Sequence, residues 1–160
     1  MMKEMMQELK SKEYAFGEFR DRFNEFWSHL QNVISMESTR FLGNVIQIDP
    51  GKKSETAIHL NFLNHHLVLS YYQVSLEKEY RCLLLLEALL TEGKREYIDH
   101  CYFDQKGHIY SKLEDKESQI NLNNENFALI LLNEASDKLI SLETSKAREL
   151  DGGTESGTES

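Results

Sequence analysis

Cysteine is scarce in this 160-residue chain. Cys82 and Cys101 each lie inside an apolar stretch, and without a CxxC spacing they form neither a zinc half-site nor a dithiol redox motif. Two buried free thiols suit a reducing compartment. Long hydrophobic runs are lacking as well: residues 82–90 are interrupted by Glu87 and fall far short of the roughly 20 apolar residues of a membrane span. The opening Met1-Met2-Lys3-Glu4-Met5-Met6 meets Glu8 and Lys10 before an apolar run of about 7–15 residues can develop, so no signal peptide is expected and the expected location is the cytoplasm. Positive charge is short too. Eighteen Lys and Arg against 27 Asp and Glu leave a formal charge of −9, which disfavours direct binding to a phosphate backbone.

Chemical signatures are equally sparse. A strained Gly-x-Ser-x-Gly turn is missing from the apolar part of the chain; the Gly-Thr-Glu-Ser-Gly stretch at residues 153–157 lies in a polar tail. Gly51-Lys52-Lys53-Ser54 ends like a phosphate loop but lacks the upstream glycine and a following helix. Of the six histidines, His65 and His66 point to opposite faces of a strand or sit in a turn, and His100 and Cys101 also face apart. His59 with His66 is the one distant pairing left open, and no metal is expected. Glu114-Asp115 and Glu77 with Glu79 sit in connections, where they read as solvated charges rather than an acid/base pair. No catalytic residue and no cofactor is therefore assigned, and the chain is read as a non-enzyme.

What is present describes one domain. Hydrophobic residues make up 40% and charged residues 28%, too much apolar content for disorder and too little for a membrane protein. Met2, Met5 and Leu9, then Phe16, Phe19, Phe23, Phe26, Leu30 and Val33, follow a helical period. A helix running to about residue 35 would be roughly 50 Å long, so it should overhang the domain or break at Ser11 or Gly17. Phenylalanine at the seam argues against a two-stranded coiled coil. Leu42, Ile46 and Ile48 alternate as a strand that stops at Asp49-Pro50-Gly51, and residues 57–63 and 67–74 read as two more, joined at Asn64-His65.

Residues 79–90 fit both a helix and a strand. The strand is preferred, because Glu92-Gly93-Lys94 looks like a hairpin loop into residues 97–103. Asp104-Gln105-Lys106-Gly107 then turns the chain into residues 108–113, with Phe103 set against His108 and Cys101 against Tyr110. Asn124 caps a last helix with Ala128, Leu131, Ala135, Leu139 and Leu142 on its stripe. The fold class is α+β: an antiparallel meander of five or six strands, with a long N-terminal and a C-terminal helix packed on the sheet. Residues 1–37 form the helical segment, 38–145 the sheet and last helix of the same domain, and 146–160 a disordered acidic tail. Leu83, Leu85 and Leu89 oppose Cys82, Leu84 and Leu86, so both sheet faces need cover. Either each face takes a helix, or both helices share one face and the other awaits a second copy of the chain, giving a homodimer.

Function is read by elimination and charge. Glu18, Asp21 and Glu25 place acid on the first helix, while the last hairpin would carry Tyr97, Asp99, Cys101, Phe103, His108 and Tyr110 on one face, a mixture that suits an interface. Tyr71 lies beside Tyr72 in the preceding sheet. The candidate protein interface is thus Glu18, Asp21, Glu25, Tyr71, Tyr97, Asp99, Phe103, His108 and Tyr110. The expected protein is a non-catalytic acidic binder, such as an inhibitor, immunity or counter-defence protein of microbial or mobile-element origin, acting on a protein partner with a basic surface. In layout, size and acidity the chain also resembles the small acidic type III secretion chaperones, which implies a dimer holding an unfolded segment. That family usually has a helix between its two strand groups, and here residues 79–90 would have to supply it. An enzyme without a recognisable motif is the third expectation.

Overall fold

The computed structural model describes residues 1–48, 57–118 and 120–152, without the side chains of residues 37–39, 92 and 125. The turn expected at Asp49-Pro50-Gly51, the loop Gly51-Lys52-Lys53-Ser54 and the tail from 153 onward lie outside the described residues. Helix α1 spans Met2–Ser35 without a break. Ala15, Phe19, Phe23, Phe26, Leu30 and Val33 form its buried stripe, spaced by three and four so that one face meets the core. Everything before Ala15 is exposed, so the overhang prevails over the break. Its Met, Glu, Gln, Leu and Lys residues are strong helix formers, and Gly17 leaves only an open gap beside Arg20.

A 3-10 segment at Glu37–Asn44 takes in Leu42, which the sequence alternation placed on a strand. The sheet begins later, with β1 at Ile46–Ile48, followed by β2 at Ala57–Phe62, β3 at His65–Leu76, β4 at Glu79–Leu89, β5 at Arg95–Phe103 and β6 at Ile109–Tyr110. The six strands lie in chain order, each antiparallel to the next. This is an α+β fold with a meander sheet. Segment 79–90 is strand, so the helix that a secretion-chaperone layout places there is not present. Between β2 and β3 the turn residues are Leu63 and Asn64, with φ of 49° and 66°, the pattern of a type I′ turn one residue earlier than the sequence suggested. Leucine is strained in that region. It is held there because its N–H donates to the Val45 carbonyl at 3.0 Å and its carbonyl meets His65 Nδ1 at 2.9 Å.

Two register features redirect side chains on β5. Asp99 pairs with Leu86 but Tyr97 with Glu87, leaving Ile98 as an extra residue; such a bulge reverses which face the preceding residues occupy. At the last hairpin, Asp104 N–H donates to the His108 carbonyl at 3.1 Å. Phe103 therefore pairs with Ile109 and Tyr102 with Tyr110, one step away from the expected pairing of Phe103 with His108 and Cys101 with Tyr110. A one-residue step exchanges the two faces. Strand β6 also ends at Tyr110 rather than near residue 113, and its outer side is met by residues 120–122: Ile109 N–H donates to Ile120 O at 2.9 Å, and Leu122 N–H to Gly107 O.

Helix α2 runs over Glu125–Leu150, beyond the boundary drawn at residue 145, and Asn124 caps it by accepting from Asn126 N at 2.8 Å. Both helices lie on the same face of the sheet. Phe23 packs on Tyr71 with ring centroids 4.4 Å apart and Phe19 on Phe103 at 5.7 Å, while Phe26 of α1 meets Phe127 of α2 at 5.6 Å. Lys138 of α2 pairs with Asp99 at 2.8 Å and Glu143 with His65 at 2.8 Å, and both partners belong to the rows of Leu69 and Leu86. The core is thus built from Ile58 and Leu60 of β2, Leu67, Leu69 and Tyr71 of β3, and Cys82, Leu84 and Leu86 of β4 with the helical stripes. Of the two arrangements open to the sequence, both helices on one face is the one adopted.

Candidate binding surface on the helix-free face

The opposite face of the sheet carries the alternate residues of every long strand. In register across it lie His59 with Val68, Ala57 with Ser70, Ser70 with Leu85, Tyr72 with Leu83, Leu85 with His100, and Leu83 with Tyr102. Tyr102 in turn pairs with Tyr110. Val68 and Tyr110 are buried yet stand outside the core cluster. The bulge brings Tyr97 here as well: its hydroxyl meets His100 Nδ1 at 2.6 Å, and the His100 ring packs edge-on against Tyr102. Tyr72 and Tyr97 are 47% and 54% exposed. Four of the chain's seven tyrosines, Tyr72, Tyr97, Tyr102 and Tyr110, therefore share one surface.

Electrostatically this surface differs from the molecule as a whole. Among the described residues its strands carry Glu79, Arg81, Glu87 and Arg95, two charges of each sign, and the last two pair at 3.3 Å, so the acidic excess of the chain sits elsewhere. Arg81 is buried with its guanidinium 3.6 Å from the Tyr110 ring centroid and donates to Leu113 O at 2.6 Å. Tyr110 donates to Asp104 Oδ2 at 3.0 Å; burial, and then that carboxylate, push its hydroxyl above the ordinary tyrosine range. Ser70 Oγ and Arg81 Nε, both buried on this face, have no hydrogen-bond partner among the described residues. His59 Nδ1 and His66 Nε2 approach to 2.9 Å, so the distant pairing left open by the sequence is realised as two rings sharing one hydrogen. No group of three or more metal-binding side chains occurs among the described residues.

The residues singled out in the sequence divide between the two sides. Tyr97 and Tyr110 belong to the helix-free face. Tyr71 and Phe103 do not: each is fully buried against α1, so neither presents a surface to a partner. Tyr71 shares the row of the core leucines, and Phe103 pairs with Cys82 on that same face. Asp99 also faces the helices, tied to Lys138, whose ammonium is held above its usual range by that hydrogen bond. His108 is spent on the turn, with its ring Nδ1 3.0 Å from Asp104 Oδ2. On α1, Glu18 accepts from Gln105 Nε2 at 2.5 Å and Glu25 pairs with Arg22 at 2.8 Å, while Asp21 is exposed. Tyr72, Leu83, Leu85, His100 and Tyr102 were missed. The period-two alternation of β4 was the signal that could have found them, once one face was known to be core.

A second feature lies on the helix side. Between α2 and strands β4 to β6 is a cavity of about 670 Å³, with Leu69, Leu84, Leu86 and Phe127 among its apolar walls and Asp99, Cys101 and Glu134 among its polar ones. Burial, then the charges of Asp99 and Glu134, push the Cys101 thiol up to about 12, so it is neutral and unreactive at neutral pH. Burial likewise raises the Cys82 thiol. Compared with protein-family models, curated proteins and solved structures, the chain matches none. Among the described residues no helix is long and apolar enough to cross a membrane.

Proposed function

We propose that this chain is a non-catalytic protein-binding protein that docks on a folded protein partner through the helix-free face of its sheet. The observation that carries this reading is the tyrosine-rich face itself, which holds few charges in an acidic chain and has two buried polar atoms without partners. Aromatic residues that offer both apolar area and a hydroxyl are enriched where proteins meet. Acid on α1, with Asp21 exposed near Glu18 and Glu25, then steers approach to a partner with basic surroundings rather than forming the contact. A cytoplasmic inhibitor, immunity or counter-defence protein of microbial or mobile-element origin is the class that fits an acidic, motif-free binder of this size. The same helix-free face favours a second reading, in which two copies of the chain pair sheet to sheet; its near-neutral charge does not oppose that.

Capture from host lysate at low and high salt, with the wild type and with Tyr72→Glu/Tyr97→Glu, tests the first reading. The wild type is expected to retain one folded partner that the double variant loses while remaining folded by circular dichroism. Retention of the same partner by the double variant refutes the docking face. Sedimentation equilibrium decides the second reading directly, since a monomer at tens of micromolar excludes it.

A further inference from the structure

The cavity beneath α2 has core residues as its floor, and its lining has two distinct chemistries. Leu69, Leu84, Leu86 and Phe127 close that floor and are buried, while Ile120, Ile130 and Leu131 are its partly exposed apolar lining. Ile130 is 44% exposed, so the apolar lining continues outward along α2. Of its polar border, Asp99, Asp115, Glu117 and Glu134 are acidic and stand beside His100 and Ser111, and no lysine or arginine lines it. Asp99 is matched by Lys138 at 2.8 Å and Asp115 accepts from Lys112 N at 3.0 Å. Glu117 and Glu134 have no ion-pair partner among the described residues. At about 670 Å³ the space falls within the range of small-molecule sites, which are mostly apolar with a few polar groups that fix orientation.

We propose that this cavity binds a small amphipathic cation, an aliphatic or aromatic body bearing an ammonium or guanidinium group, with the body against Ile120, Ile130 and Leu131 and the charge between Glu117 and Glu134. Neutral ligands of the same shape would gain the apolar contact but leave the carboxylates unmatched. Anionic ones would be repelled. Burial first, and then the charges of Asp99 and Glu134, raise the Cys101 thiol, the second contribution having the sign of the acidic border.

The test is isothermal titration of the full-length protein, at neutral pH and about 0.15 M salt where surface charge is screened beyond roughly 8 Å, with octylammonium, 1-octanol and octanoate. Octylammonium is expected to bind one per chain and at least tenfold more tightly than octanol, with octanoate silent. Glu117→Gln/Glu134→Gln, both at exposed positions, should weaken octylammonium about tenfold and leave octanol unchanged, whereas Glu8→Gln on the overhang of α1 should alter neither. Equal binding of octylammonium and octanoate, an unchanged double variant, or no saturable octylammonium binding overturns the proposal. Loss of affinity in Glu8→Gln as well would reduce the effect to non-specific attraction by the acidic chain and also overturn it.

Discussion

Leu84 and Leu85 are neighbours in sequence and opposites in environment, and truncating each to alanine separates the two faces of the sheet quantitatively. Leu84 is 1% exposed, opposite Tyr71 and Cys101 on the face that the helices cover. Removing its isobutyl group leaves a cavity in a packed interior, a change that costs about 2–5 kcal/mol; with helices fixing the walls on one side and the sheet on the other, about 4 kcal/mol is expected. Leu85 lies between Ser70 and His100 on the face without helices and is only partly buried. There the alanine gives up a fraction of the transfer free energy of one side chain, about 1 kcal/mol, and solvent fills the space. Against a total of about 5–15 kcal/mol for a domain, the first change is severe and the second mild. Equilibrium urea unfolding with an unchanged m-value measures both. A Leu85→Ala cost equal to that of Leu84→Ala would refute the one-sided sheet, and a Leu85→Ala cost that grows with protein concentration would place a second copy on the face.

Other consequences follow from single residues. Burial alone would raise the Asp104 carboxyl, but hydrogen bonds from the His108 N–H and ring and from the Tyr110 hydroxyl outweigh it and hold the carboxyl below its usual 3.8. The folded chain therefore binds this proton less readily than the unfolded one; the stabilisation is complete above about pH 4–5 and is lost as pH falls through the folded value. Asp104→Asn removes that contribution, so urea midpoints measured from about pH 6 to pH 3 should converge between variant and wild type at the acid end. Gly107 has φ of 89°, and a Cβ there would stand 3.0 Å from Asn121 Oδ1; Gly107→Ala should destabilise by about 1–3 kcal/mol in thermal unfolding. With Cys82 and Cys101 both raised by burial, a thiol-reactive reagent at pH 7.5 should label the unfolded chain at least a hundredfold faster than the native one.

Local pattern and global placement were not equally legible. The three-four spacing from Phe16 to Val33 marked the buried stripe of α1, and the alternation through residues 79–90 together with the loop after it marked β4, because both depend on periodicity alone. Faces were harder. A leucine-rich strand reads the same from either side, and only the seating of both helices beside Tyr71 and Phe103 tells which row is core. The bulge at Ile98 and the pairing of Phe103 with Ile109 have no compositional mark: the second arises when Asp104 gathers the backbone N–H groups of Lys106 and His108 at 2.9 Å each and closes the turn one residue later than its glycine suggests. That step placed Tyr110 beside Tyr102, while Phe103 lies on the core row through its pairing with Cys82. Leu63 carried no turn signal either, since its left-handed backbone is held by contacts to Val45 and His65 rather than by its own preference.

Hydroxyl-radical footprinting of the protein alone and with its captured partner tests the binding face most directly. Tyr72, Tyr97 and Tyr14 are all exposed in the free chain, Tyr14 at 66% on the overhang of α1. If the helix-free face is the docking surface, Tyr72 and Tyr97 are protected from oxidation in the complex while Tyr14 oxidises as before. Protection of Tyr14 with Tyr72 and Tyr97 unchanged would move the interface to α1 and contradict the proposed mode of binding.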